Sequence, residues 1–157
     1  MDAKVTWKGN LAFEGVANSG KTILMDSTSD PAERLGPGPM ELVLISLAGC
    51  TAMDVISILE KKKQDVTTFE VKVHAERSEG YPKVYTRAEL EYQVTGHNVN
   101  ETDVLRAIEL SIQKYCPVHA MLGQAFPISQ RYVIFEEEGG GARRVVAEGS
   151  YIEQEAE

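Results

Sequence analysis

The chain has 157 residues, enough for one domain with a real core or for a protomer that completes its core by pairing with a copy. Its 24 acidic against 16 basic residues leave a formal net charge of -8, which argues against phosphate backbones and anionic membrane surfaces as partners. Two cysteines are too few for a secreted disulfide scaffold of this size, and Met1-Asp2-Ala3-Lys4 does not open an apolar signal region, so a cytoplasmic protein is expected.

The first third reads as a meander of three short strands. Residues 4–8 alternate around Val5 and Trp7, Gly9-Asn10 turns the chain into residues 11–17, and Asn18-Ser19-Gly20 turns it again into residues 22–26. A loop rich in Ser, Asp, Pro and Gly follows over 27–38. Its end, Gly36-Pro37-Gly38-Pro39, signals a helix start with Pro39 at the first helical position. Residues 41–59 are then apolar on nearly every side. The run is too long for a typical strand and is interrupted by Ser46, Thr51, Asp54 and Ser57, unlike a membrane span. A helix that is hydrophobic all round belongs at the centre of a fold or in a subunit interface. Glu60-Lys61-Lys62-Lys63 closes it with cations that suit the negative end of the helix dipole.

Residues 69–76 place Phe69, Val71, Val73 and Ala75 on one face, opposite Glu70, Lys72, His74 and Glu76. After the turn at Ser78-Glu79-Gly80, a second strand points Thr86, Ala88, Leu90, Tyr92 and Val94 inward. One wet and one dry face predict an antiparallel sheet with helices packed on one side. Asn100 caps a second helix whose inner stripe is Val104, Leu105, Ile108, Ser111 and Ile112, and Pro117 ends it near Tyr115. A short helix restarts at Pro117, and a last strand covers 128–135. Glu136-Glu137-Glu138-Gly139-Gly140-Gly141 is read as detaching a mobile polar tail, 138–157, from a single domain, 1–137, with Val145-Val146 the one apolar piece of the tail.

Cys50 and Cys116 are the residues with chemistry to argue. Cys116 is the expected N-cap of the helix that opens at Pro117, where free backbone N–H groups lower a thiol pKa. Packing into a helix corner is an equally good account of its position. Cys50 lies mid-helix in apolar surroundings with Asp54 one turn on, and both features disfavour a thiolate. Glu41 precedes Cys50 by nine residues, about 180° around the axis and roughly 14 Å along it, so the pair cannot meet on one straight helix. Cooperation between them needs a second subunit or a break; otherwise Glu41 only complements the helix N-terminus. Cys116-x-x-His119 also fits two metal ligands, with Cys50 a third and Asp54 a fourth. His74 is expected to face solvent and His97 to sit in a turn.

The residues Gly38-Pro39-Met40-Glu41-Leu42 and Leu47-Ala48-Gly49-Cys50-Thr51-Ala52-Met53-Asp54, followed by Tyr115-Cys116-Pro117-Val118, resemble the OsmC/Ohr family of osmotically inducible and organic hydroperoxide resistance proteins. The likeness covers residues 1 to about 137. It implies an α+β fold with antiparallel sheets and a long buried central helix, built as an intertwined homodimer with its active sites at the interface. It further implies that Cys50 attacks a peroxide and becomes a sulfenic acid, and that Cys116 resolves it as a disulfide. No bound cofactor is implied; a small lipoyl-type dithiol is the expected reductant. Glu41 of one subunit would serve the thiol of the other. The family's Glu falls at Met40 here, with Glu41 beside it. Residues 7–14 contain no Arg to match the family's thiolate-holding one, which leaves Lys8, Lys21 or Arg34 as candidates to substitute for it. Two other readings stay open: a non-enzymatic dimer binding a small apolar or electrophilic molecule, and a metal site at Cys50, Cys116 and His119.

Overall fold

The computed structural model describes residues 1–151, and the chain divides into two compact units, Met1–Ile45 and the residues from Ser46 onward.

In the first unit, β1 (Ala3–Gly9), β2 (Ala12–Ala17) and β3 (Thr22–Asp26) form the antiparallel meander in the order expected. Gly9 at φ 111° and Asn10 at φ 45° make the first reversal, a turn that needs the left-handed region glycine and asparagine tolerate. Val5, Trp7 and Leu11 stay exposed on this sheet. One turn of 3₁₀ helix (Pro31–Glu33), capped by the Asp30 side chain, sits in the loop before the central helix.

That helix, α1, runs from Pro39 to Lys61 and so begins at the proline the sequence nominates. Its length and composition alone would allow it to cross a membrane. Its burial follows a different logic: Leu47, Thr51, Val55 and Leu59, spaced by four, form one fully buried stripe, while Met53 is 73% exposed. The helix is therefore a core element along one side only within a single chain.

The second unit contains the rest of α1 and a four-stranded sheet ordered β4-β5-β6-β7. β4 (Asp65–Arg77) and β5 (Tyr85–His97) are antiparallel, and β4 alternates as expected with His74 exposed. In β5 the inward set is Tyr85, Ala88, Leu90, Tyr92 and Val94; Thr86 is exposed, contrary to the simple alternation. The cause is a register shift that pairs Arg77 with Tyr85 and Glu76 with Arg87, leaving Thr86 without a partner. Gly96 passes so close to the Asp65 carbonyl that a Cβ would lie 2.0 Å from the oxygen, so only glycine fits there.

The chain leaves β5 through α2 (Glu101–Leu110), a π turn (Ser111–Tyr115) and α3 (Pro117–Leu122), and returns as β6 (Ile128–Gly139) parallel to β5. The sheet is thus antiparallel except for this one helix-bridged pair, a connection that alternation in the sequence does not reveal. Asn100 caps α2 by accepting from the Asp103 N–H at 3.2 Å, as expected. The Asp103 carboxylate in turn takes Lys62 Nζ at 2.7 Å and Gln64 Nε2 at 2.7 Å, which ties the end of α1 to the start of α2.

The tail expectation is corrected here. Gly140 and Gly141, both at positive φ, form a tight reversal, and β7 (Ala142–Tyr151) pairs antiparallel with β6. The glycine run is a hairpin turn, and Val145-Val146 is the middle of a strand. Residues 152–157 of the expected tail lie outside the described residues.

The core of this unit joins the α1 stripe to Leu90, Tyr92 and Val94 of β5, to Val104, Ala107 and Ile108 of α2, and to Tyr132 and Ile134 of β6. Leu90→Ala is expected to cost about 2–5 kcal/mol in urea unfolding, since Leu90 is fully buried at the centre of this cluster; a cost under about 1 kcal/mol would contradict the packing described.

Candidate active site

The buried stripe of α1 fixes the rotation of the helix, and the row of side chains next to it includes Cys50 and Asp54. Cys50 and Asp54 each precede a stripe residue by one position and are half-buried, at the rim between the core and the uncovered side of the helix. Their spacing of four sets the thiol and the carboxylate one above the other.

Cys116 approaches from the other side of the sequence. The π turn ends in a hydrogen bond from Cys116 N–H to Ser111 O at 2.8 Å, and the residue then leaves helical geometry before Pro117. It caps α3 as expected, with its sulfur accepting the His119 N–H at 3.3 Å, and it is 2% exposed. The sulfurs of Cys50 and Cys116 and a carboxylate oxygen of Asp54 all lie within 4.8 Å of one another. Both cysteines are free thiols.

A chain of hydroxyls underlies this cluster. Tyr92 Oη and Thr51 Oγ1 are 2.8 Å apart, Thr51 Oγ1 and Ser111 Oγ are 2.9 Å apart, and Ser111 Oγ donates to Asp54 Oδ2 at 3.0 Å. Thr51, Tyr92 and Ser111 are fully buried, so the chain satisfies groups that would each cost about 1–3 kcal/mol if left unpaired. Burial raises the Tyr92 pKa above its usual value, against the lowering effect of the Thr51 hydrogen bond. The phenol therefore stays protonated.

The N-cap argument for an acidic Cys116 is overturned. Burial first, and then the hydrogen bond with Cys50, push its thiol up to about 12. The His119 N–H works in the lowering direction and is outweighed, while the charges of Cys50 and Asp54 add to the increase. Cys116 holds its proton.

Glu41 lies outside the cluster. Its carboxylate accepts the Gly38 N–H at 2.6 Å and faces Arg34 at 4.0 Å, so it serves the start of α1. The basic candidates are engaged elsewhere or exposed: Lys8 pairs with Glu14 at 3.2 Å, Arg34 Nε donates to Thr28 O at 2.7 Å, and Lys21 is on the surface. The His119 ring nitrogen Nε2 is 3.0 Å from Gln130 Nε2, and Asp54, rather than His119, is the third member beside the two sulfurs. His97 meets Asp65 at 3.3 Å at the edge of the sheet. Thr51, Ser111 and Tyr92 carry no signature of their own in the sequence. The available signal was three polar groups on faces otherwise apolar.

The profile of the family described as OsmC-like protein matches residues 30–131. The chain belongs to the OsmC-like family. It is 43% identical over 134 residues to Protein YhfA of Escherichia coli strain K12, covering 85% of this chain and 98% of that protein. The crystal structure of a hypothetical protein from Aquifex aeolicus VF5 superposes with a TM-score of 0.76 at 28% identity, over 87% of this chain and 97% of that one. An organic hydroperoxide resistance protein OsmC from Legionella pneumophila shares the fold, with a TM-score of 0.60 at 13% identity over 85% of this chain and 94% of its own. The OsmC-like architecture, α+β with antiparallel sheets and a long helix, is the one described above.

The thiolate is the form that alkylates, so a thiol held near 12 is protected across the neutral range and gains reactivity only as pH climbs toward that value. Peptide mapping after iodoacetamide treatment of the native, reduced protein at pH 8 is expected to show Cys116 modified about tenfold or more slowly than Cys50. Faster labelling of Cys116 would contradict the environment assigned to it.

Proposed function

We propose that the protein is a thiol peroxidase acting on organic hydroperoxides or hydrogen peroxide, with Cys50 as the attacking residue and Cys116 as the resolving one. The observation that carries this reading is the convergence of two free sulfurs within 4.8 Å, one half-buried and one sealed in the protein. Peroxide reaches only the half-buried sulfur, which gives the two thiols different parts.

The Cys50 thiolate attacks the terminal peroxide oxygen. An S–O bond forms, the O–O bond breaks, and the departing alkoxide takes a proton and leaves as an alcohol, or as water from hydrogen peroxide. Cys50 is now a sulfenic acid, oxidised by two electrons. The Cys116 sulfur displaces the sulfenic oxygen, forming the S–S bond, and the Cys116 proton leaves with that oxygen as water. A small dithiol then reduces the disulfide by exchange, restoring both thiols and becoming a cyclic disulfide itself.

The protein works as a homodimer in this proposal. The exposed Ile45 and Met53 of α1 and the exposed Val5, Trp7 and Leu11 of the meander are apolar surfaces that a second copy would cover. Glu41 enters the reaction only across that dimer, serving the Cys50 of the other protomer.

With an organic hydroperoxide and excess dithiol, the wild type is expected to consume peroxide catalytically. Cys50→Ser should lower the rate by about 100-fold or more, about 2.7 kcal/mol of transition-state stabilisation. Cys116→Ser should keep a single burst of consumption and lose sustained turnover. Equal, slow rates for wild type and Cys50→Ser would refute the peroxidase reading.

A further inference from the structure

We infer that the reduced site is also a chelating site for a thiophilic divalent cation, held by the sulfurs of Cys50 and Cys116 and the carboxylate of Asp54. The inference concerns the resting thiol form and does not depend on the peroxidase reading.

The donor set is the first argument. Two thiols and a carboxylate on three turns of backbone converge within 4.8 Å. A tetrahedral zinc ion with bonds of about 2.3 Å to sulfur holds two sulfurs about 3.8 Å apart, so an adjustment of about an ångström at most completes the triangle. Sulfur donors select zinc over calcium and magnesium, which take oxygen shells. Zinc has no redox chemistry with which to oxidise its own thiols.

The surroundings are the second argument. Among the described residues no Lys or Arg is bonded to Cys50, Asp54 or Cys116, so three groups of acidic character face one another without a protein cation between them. Two of the three donors, Asp54 and Cys116, are already oriented from behind. Ser111 donates to Asp54 at 3.0 Å and is itself fixed through Thr51 to Tyr92, and the His119 N–H donates to the Cys116 sulfur at 3.3 Å. Hydrogen bonds of this kind orient metal ligands. The half-exposed Cys50 side leaves a fourth position open to a water molecule. This differs from the ligand set expected from the sequence, because the His119 ring turns to Gln130.

Binding breaks two S–H bonds, forms two bonds from sulfur to metal, and releases both protons to solvent. A sulfur so bound is not free to attack peroxide, so the metal-loaded protein is a protected reduced form.

The test is competition between the reduced full-length protein and a chromophoric chelator, using Zn²⁺ alone. Wild type should take up one zinc per chain, and X-ray absorption should show two sulfur neighbours with oxygen completing the shell. Cys50→Ser and Cys116→Ser should each abolish tight uptake, Asp54→Asn and Ser111→Ala should weaken it about tenfold or more, and His119→Gln should retain it. Uptake below a tenth of an equivalent, a wild-type spectrum without two sulfurs, or affinity insensitive to Asp54→Asn would overturn the inference. Protein that consumes peroxide but takes up no zinc loses only this inference; protein that takes up zinc but consumes no peroxide loses only the proposed function.

Discussion

The geometry of the two thiols depends on how one side of α1 packs. Leu47, Thr51, Val55 and Leu59 pack against β5 and α2, and this contact sets the helix rotation. Cys50 and Asp54 are carried by that rotation to the rim of the core, where one side of each meets the residues around Cys116 and the other side is open. A turn of the helix by one residue position, about 100°, would send both away from Cys116. Four aliphatic and hydroxyl contacts thus decide whether two sulfurs distant in sequence are neighbours.

Thr51 adds direction to this contact. A fully apolar stripe would tolerate sliding, because hydrophobic packing is non-directional. The Thr51 hydroxyl must meet both Tyr92 and Ser111, and Ser111 must still reach Asp54. Hydrogen bonds buried this deeply are specific in distance and angle, so the network pins α1 to β5 and to the π turn in one register. The same network leaves a carboxylate beside two thiols, where it adds a small increment to the burial and the Cys50 hydrogen bond that keep Cys116 protonated.

Much of this was legible in the sequence where a local rule dominates. Pro39 starting α1, Asn100 capping α2 and Cys116 capping α3 are each set by a residue whose backbone chemistry admits few alternatives. The nearness of Cys50 to Cys116 came only through family resemblance, since no spacing rule joins positions so far apart. Three features were not legible. The parallel pairing of β5 with β6 is a tertiary choice that strand alternation does not encode. The strand Ala142–Tyr151 was hidden because its glycine turn and charged residues look like a solvated tail, although an edge strand carries charge for good reason. The choice between an acidic cap thiol and a packed one at Cys116 stayed open because the cap position does not reveal the burial that outweighs it.

The central claim is that Cys50 and Cys116 stand close enough to bond to each other. The direct measurement is intact-mass and peptide mass spectrometry of the reduced protein after one equivalent of an organic hydroperoxide. The account predicts a chain two hydrogens lighter, with a single cross-linked peptide pair joining Cys50 to Cys116 and no disulfide between chains. A stable sulfenic or sulfinic acid on Cys50 with Cys116 still a free thiol, or bonds only between chains, would contradict it.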